Sequence, residues 1–225
     1  MCNGVAMAAY DYLGKELPRT REQDKLSGKS LYTADFHLPG MLWGKILHST
    51  HAHVRIAHID ISLAQRLKGV KAVITSADTP GLLMGRWLQD RPVLAQEEVR
   101  YLGEPVAAVA ASDPETAEEA LELIRVAYEE LPSVFDPLLA MQPDAPLVHS
   151  HREAYKPADY RGCGQGNIIL EGAVRQGDVE KGLAESDFIH QARYTTQAEH
   201  PGYIEPHAVL ASPGSDGKVT VWSST

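Results

Sequence analysis

Residues 105–130 constrain the fold more than any other stretch of this chain. Pro105–Ala111 (PVAAVAA) is a near-continuous apolar run, as expected of a strand. Asp113-Pro114 then supplies an N-cap followed by proline at the first helical position, and Glu115, Glu118 and Glu119 suit the positive end of a helix dipole. Ala117, Ala120, Leu121 and Ile124 recur at helical spacing and mark one apolar face. Arg125–Glu130 returns to strand. The pattern predicts a β-α-β unit with helix and sheet mixed, rather than a run of hairpins, and it leaves the acidic helix face in solvent.

Elsewhere the punctuation comes from capping and turn residues. Strands are expected at 41–49 and 53–60, with Trp43, Ile46, Leu47, Val54 and Ile56 as the core face. Asp60-Ile61-Ser62 caps a brief helix through Leu67, Gly69 stops it, and Val70–Thr75 is a short strand. Residues 77–89, with Asp78, Pro80, Gly81 and Gly85, read as a loop and a candidate contact surface. Residues 131–146 carry Pro132, Pro137, Pro143 and Pro146 and read as an extended crossing segment. A boundary is expected between 135 and 165, where Pro157, Gly162, Gly164 and Gly166 cluster; Gly164-Gln165-Gly166-Asn167 reads as a domain-crossing turn. Beyond it come a short helix from Gly177-Asp178 to about 185, a long strand over 188–197, and a hairpin of 208–212 with 218–223 around Ser215-Asp216-Gly217. Residues 1–18 form a polar lead-in closed by Pro18.

His48, His51, His53 and His58 raise the question of a metal site. Period-two alternation would put His51 and His53 on one strand face. A zinc or iron site needs further ligands converging on one point, usually as paired Cys or His motifs, and no such partner pattern follows. A hydrogen-bonded β structure, with Arg55 available for a carboxylate, is the stronger expectation; the metal-binding alternative predicts stoichiometric zinc.

A net charge of −9 argues against nucleic acid and anionic membranes as partners, and no apolar run reaches the length of a membrane span. The N-terminus lacks a basic region ahead of an apolar one, so no secretory signal is expected. Two cysteines, Cys2 and Cys163, fit a reducing, cytoplasmic compartment and are too few for a ferredoxin-type cluster. Neither a Gly-x-Gly-x-x-Gly turn nor a Walker loop is present.

A set of short motifs, in order along the chain, carries a resemblance. They are Asp24-Lys25 with Gly28, Tyr32-Thr33-Ala34-Asp35, Leu38-Pro39-Gly40-Met41-Leu42, HSTHAHVRI over 48–56 and Gly69–Val73. Arg100-Tyr101-Leu102-Gly103-Glu104-Pro105-Val106-Ala107 and Tyr128-Glu129-Glu130-Leu131-Pro132 follow. Gly166-Asn167, Gly177-Asp178-Val179 and Gly202-Tyr203-Ile204-Glu205-Pro206-His207 complete the series. In this order they resemble the first part of the molybdenum-binding large subunit of the xanthine dehydrogenase, aldehyde oxidase and carbon monoxide dehydrogenase family.

The resemblance implies an α+β fold: an α/β hammerhead domain over residues 19–135, then the truncated start of a molybdenum-binding domain over 150–225. It implies an oxidoreductase that uses molybdenum on molybdopterin, in its cytosine dinucleotide form, and passes electrons to 2Fe–2S clusters and FAD on partner subunits. The family's glycine-rich pterin loop and its C-terminal glutamate, the general base, have no counterpart here. No catalytic and no metal residue is therefore expected, and the isolated chain should bind no cofactor. Its partners would be the remaining molybdenum-binding region, the iron–sulfur subunit and the FAD subunit.

His200 and Glu205 are the two candidates for cofactor contact. Glu205 is either part of the wall beside the metal or a carboxylate satisfying backbone donors at a strand start. His200 either orients a ligand or serves packing. Pro201 stands where the family often carries glutamine, and it has no amide N–H to offer. A non-catalytic interaction module derived from this fold is the alternative from a different class.

Overall fold

The computed structural model describes residues 12, 14–17, 22–86, 88–150, 156–157 and 165–224. Cys2, Pro18, Gly162, Cys163 and Gly164 lie outside them. In chain order, α1 (Glu22–Leu26) is followed by β1 (Trp43–His48), β2 (Val54–Asp60), α2 (Ser62–Arg66) and β3 (Val70–Ile74). The two-residue strands β4 (Leu83–Met84), β5 (Leu88–Gln89), β6 (Arg91–Pro92) and β7 (Glu98–Val99) come next. Then follow β8 (Pro105–Ala111), α3 (Pro114–Glu122), β9 (Arg125–Glu130), α4 (Pro137–Ala140), the two-residue β10 (Lys156–Pro157), α5 (Val179–Ala184), β11 (Val209–Pro213) and β12 (Val219–Ser223). Mixed helices and sheets make the fold α+β. The chain divides into two compact units, residues 40–191 and residues 1–39 with 192–225.

In the larger unit, two antiparallel three-stranded sheets have the orders β1-β8-β3 and β7-β2-β9. The segment expected as one β-α-β unit is therefore split, with β8 central in one sheet and β9 at the edge of the other. The reason is occupancy. Both edges of β8 are taken, by β1 (Ile46 opposite Ala108) and by β3 (Val73 opposite Val109), so β9 ladders on β2 instead, with Ile56 opposite Tyr128.

α3 links the sheets, and its Asp113 cap forms as the sequence predicts, the carboxylate accepting from the Thr116 N–H at 2.7 Å. Ala117 and Ala120 are buried beneath it. One core cluster holds Ala64, Val73, Ala107, Val109, Ala120 and Ile124; a second holds Val54, Ala95, Val99 and Val106. Ile59 and Val126 pack against both clusters and make the core continuous. Gly69 closes the approach of α2 to β3. Its φ of +102° and the 3.0 Å that would separate a Cβ from Ser112 Oγ and Thr116 Cγ2 explain glycine there.

Four expectations are corrected. Ile46 is 47% exposed while its neighbour Leu47 packs on the core, because adjacent strand residues face opposite ways. Residues 77–89 are not all loop: β4 pairs with β6 and β5 with β10. The crossing segment 131–146 contains α4, capped by Asp136, whose Oδ1 accepts from the Leu138 and Leu139 N–H groups at 2.7 and 3.0 Å. Residues 188–197 are not a strand, since among the described residues no neighbouring strand offers them a ladder.

In the smaller unit β11 and β12 form the expected hairpin, with Ala211 opposite Val221 and Leu210 opposite Trp222. Trp222 stacks on Phe36, ring centroids 5.9 Å apart.

Candidate functional site

The histidine run does not gather into a site. His48 donates through Nδ1 to the Gly103 carbonyl at 2.7 Å, and His53 through Nδ1 to the Pro132 carbonyl at 2.6 Å. His51 lies 4.8 Å, ring to ring, from Tyr128. His51 and His53 sit in the turn between β1 and β2, not on one strand face. Buried Ser49 closes that turn, its Oγ accepting from the His51 N–H at 3.0 Å. Burial pushes the Tyr128 phenol above its ordinary value, against the opposing hydrogen bond with Ser49. Arg55 meets Glu129 at 3.1 Å, an exposed pair that supplies the anticipated carboxylate. Among the described residues no three His, Cys, Asp or Glu side chains converge as a metal-ligand set.

The Arg100–Pro105 motif builds a buried charged turn. The Arg100 guanidinium donates to the Glu104 carboxylate, with the two side chains 7% and 3% exposed. Glu104 also accepts from the Arg100 N–H at 2.6 Å, while its carbonyl accepts from the Ser49 N–H at 2.9 Å. Arg100 Nη1 reaches the Asp90 carbonyl at 2.8 Å and His149 Nδ1 at 3.4 Å; His149 Nε2 in turn lies 3.8 Å from the Asp90 carboxylate. The turn thus ties separate stretches of chain together.

Asn167 is a second tie, one that sequence reasoning read only as a crossing turn. Its Nδ2 donates to the carbonyls of Ala140 at 3.0 Å and Pro146 at 2.9 Å, and its Oδ1 accepts from the Val148 N–H at 2.9 Å. A side chain that can donate twice and accept from one planar amide suits this position, and the asparagine beside Gly166 was the available signal.

The two candidate contact residues share one loop. His200 is exposed, and its Nδ1 accepts from the Gly202 N–H at 3.0 Å, so the neutral ring presents Nε2–H outward. His200, Tyr203 and His207 form a succession of rings, with centroids 5.3 Å and then 4.9 Å apart. Glu205 is half-buried four residues ahead of β11 and makes no hydrogen bond among the described residues, so the expected backbone donors do not reach it. The Gly202 amide is spent on His200, and Pro201 and Pro206 have none. Pro201, Gly202 and Pro206 thus offer no amide to a pterin phosphate, which leaves the His200 ring and the Glu205 carboxylate as the loop's candidate contacts.

Comparison with known proteins places these features. Residues 27–132 match the family model "Aldehyde oxidase and xanthine dehydrogenase, a/b hammerhead domain", and residues 163–225 match "Molybdopterin cofactor-binding domain". A probable xanthine dehydrogenase subunit of Bacillus subtilis is 37% identical over 202 residues, covering 89% of this chain and 25% of that protein. The nicotinate dehydrogenase large molybdopterin subunit of Eubacterium barkeri is 31% identical, covering 96% of this chain and 48% of that one. The crystal structure of the Cu,Mo-CO dehydrogenase superposes over 94% of this chain and 27% of its own, with a TM-score of 0.79 and 34% identity. This chain therefore spans about a quarter to a half of the length of such relatives. Matched domain by domain and in fold, it belongs to the aldehyde oxidase and xanthine dehydrogenase family and corresponds to the N-terminal portion of the molybdenum-binding large subunit.

Proposed function

We propose that this chain is the N-terminal part of a molybdenum hydroxylase large subunit, an oxidoreductase whose catalytic half lies in the remaining molybdenum-binding region. One observation carries the reading: a hammerhead match and a molybdopterin-domain match occur in order on one chain. Structural likeness to a molybdenum enzyme over 94% of this chain, and 27% of that one, supports it. The proposed domain limits are 19–135 and 150–225.

In the complete enzyme the cofactor is molybdopterin, in its cytosine dinucleotide form, and it supplies the redox chemistry. Companion subunits carrying 2Fe–2S clusters and FAD would accept its electrons. His200, through the outward Nε2–H, and Glu205, through a carboxylate not committed elsewhere, are proposed to line the wall beside that cofactor. The complex is proposed to work in the cytoplasm; no described helix is long and apolar enough to cross a membrane. Affinity purification from the native host, with co-purifying subunits identified by mass spectrometry, tests the reading. The expected companions carry the rest of the molybdopterin domain, an iron–sulfur protein and a flavoprotein.

A non-catalytic interaction module is the second reading, favoured by a histidine run in which His48 and His53 are committed to backbone carbonyls rather than to a shared centre. It predicts purification without any of these companions.

A further inference from the structure

The hairpin of β11 and β12 has two faces of different fate. On one, Trp222 stacks on Phe36. On the other, the register aligns Val209, Ala211, Pro213, Val219, Val221 and Ser223, with Val209 opposite Ser223, Ala211 opposite Val221 and Pro213 opposite Val219. Its three valines are 69%, 59% and 57% exposed in chain order. No strand residue of the hairpin is charged; Asp216 and Lys218 are confined to the turn. A lone two-stranded hairpin is marginal in water, and a bare apolar face is a liability unless something covers it.

We propose that this face docks the part of the molybdopterin-binding region beyond residues 163–225, an inference that rests on the functional reading above. Two observations select that occupant. No described residue between 165 and 224 is buried, so the described portion of the domain has no core of its own. The solved relative carries most of its length outside the aligned stretch, only 27% of it being covered. An uncharged face on which three exposed valines stand beside alanine and proline suits a permanent, interior-like contact; a transient partner surface would carry a more polar patch.

The test co-expresses the 225-residue chain, tagged, with a separately encoded polypeptide carrying the rest of the same host's large subunit. The wild-type chain should retain that polypeptide. Val219→Glu with Val221→Glu should lower its recovery by roughly tenfold or more, because two carboxylates would enter an apolar contact unpaired. Val221→Ile should keep recovery, as should Glu115→Lys on the exposed face of α3. Val219 and Val221 are both exposed in the chain alone, so circular dichroism should show the fold of the double variant unchanged. A photo-crosslinking residue at 221 should label the added polypeptide. Undiminished recovery by the double variant, or a crosslink to a second copy of this chain, overturns the docking face alone. Failure of the wild type to retain the polypeptide overturns the functional reading and this inference with it.

Discussion

Arg100 and Glu104 form an ion pair across a five-residue turn, both side chains buried, at the entry to β8. A pair removed from water in this way is held by its geometry: each partner satisfies the other's charge, and the Arg100 N–H adds a further donor to the same carboxylate. Removing one partner leaves an uncompensated buried charge. Glu104→Ala should therefore destabilise the chain by about 3–5 kcal/mol. The double change Arg100→Met with Glu104→Leu should cost less than either single truncation. Urea denaturation monitored by circular dichroism distinguishes these outcomes; equal midpoints for Glu104→Ala and wild type would show the pair to be unimportant.

Asn167 spends its whole side-chain amide on residues 140–148. Asn167→Ala removes three hydrogen bonds, each worth about 0.5–1.5 kcal/mol net. The expected loss is local, so hydrogen exchange at Val148 should accelerate while the β8 amides stay protected. Asn167→Asp should be worse than alanine, because it sets a carboxylate against the Ala140 and Pro146 carbonyls.

Asp113 gives the α3 cap a pH dependence. Hydrogen bonds from Thr116, and then Ser112, hold its carboxyl below the ordinary carboxylate value. A carboxyl lowered in the folded state contributes stability above its unfolded pKa and loses it as the pH falls through the folded one. Asparagine caps without titrating. Wild type should therefore lose α3 protection on acidification below about pH 4, the unfolded aspartate range, whereas Asp113→Asn should not. Exchange of the Thr116 amide across that range is the measurement.

Gly69 adopts a backbone conformation that L side chains rarely take, against Ser112 and Thr116. Gly69→Ala should destabilise by about 1–3 kcal/mol. A thermal melt unchanged from wild type would mean that the turn relaxes freely.

What the sequence made legible was local. The α3 cap follows from Asp113-Pro114 and its following turn, chemistry contained within four residues. The same dipeptide at Asp136-Pro137 starts α4, yet the surrounding prolines masked it as extended chain. Sheet membership is not local: nothing near β8 reveals that both its edges are filled, so the parting of β8 and β9 could not be read there. Alternation over 188–197 fixes which side chains would share a face but not whether a neighbouring strand exists. The turn at Ser49–His51 depends on a hydroxyl bridging its own loop, which moved His51 and His53 off a strand. For the candidate site, the motif containing His200 and Glu205 was visible, but their surroundings depend on residues distant in sequence. The three hydrogen bonds of Asn167 to residues 140–148 were hidden for the same reason.

The claim that this chain is the first part of a molybdenum hydroxylase large subunit is tested most directly by metal and pterin analysis of the complex purified from its native host. Molybdenum and a pterin should be recovered together with this chain and the rest of the molybdopterin-binding region. A chain recovered alone, without molybdenum, or carrying stoichiometric zinc on His48, His51, His53 and His58, would contradict it.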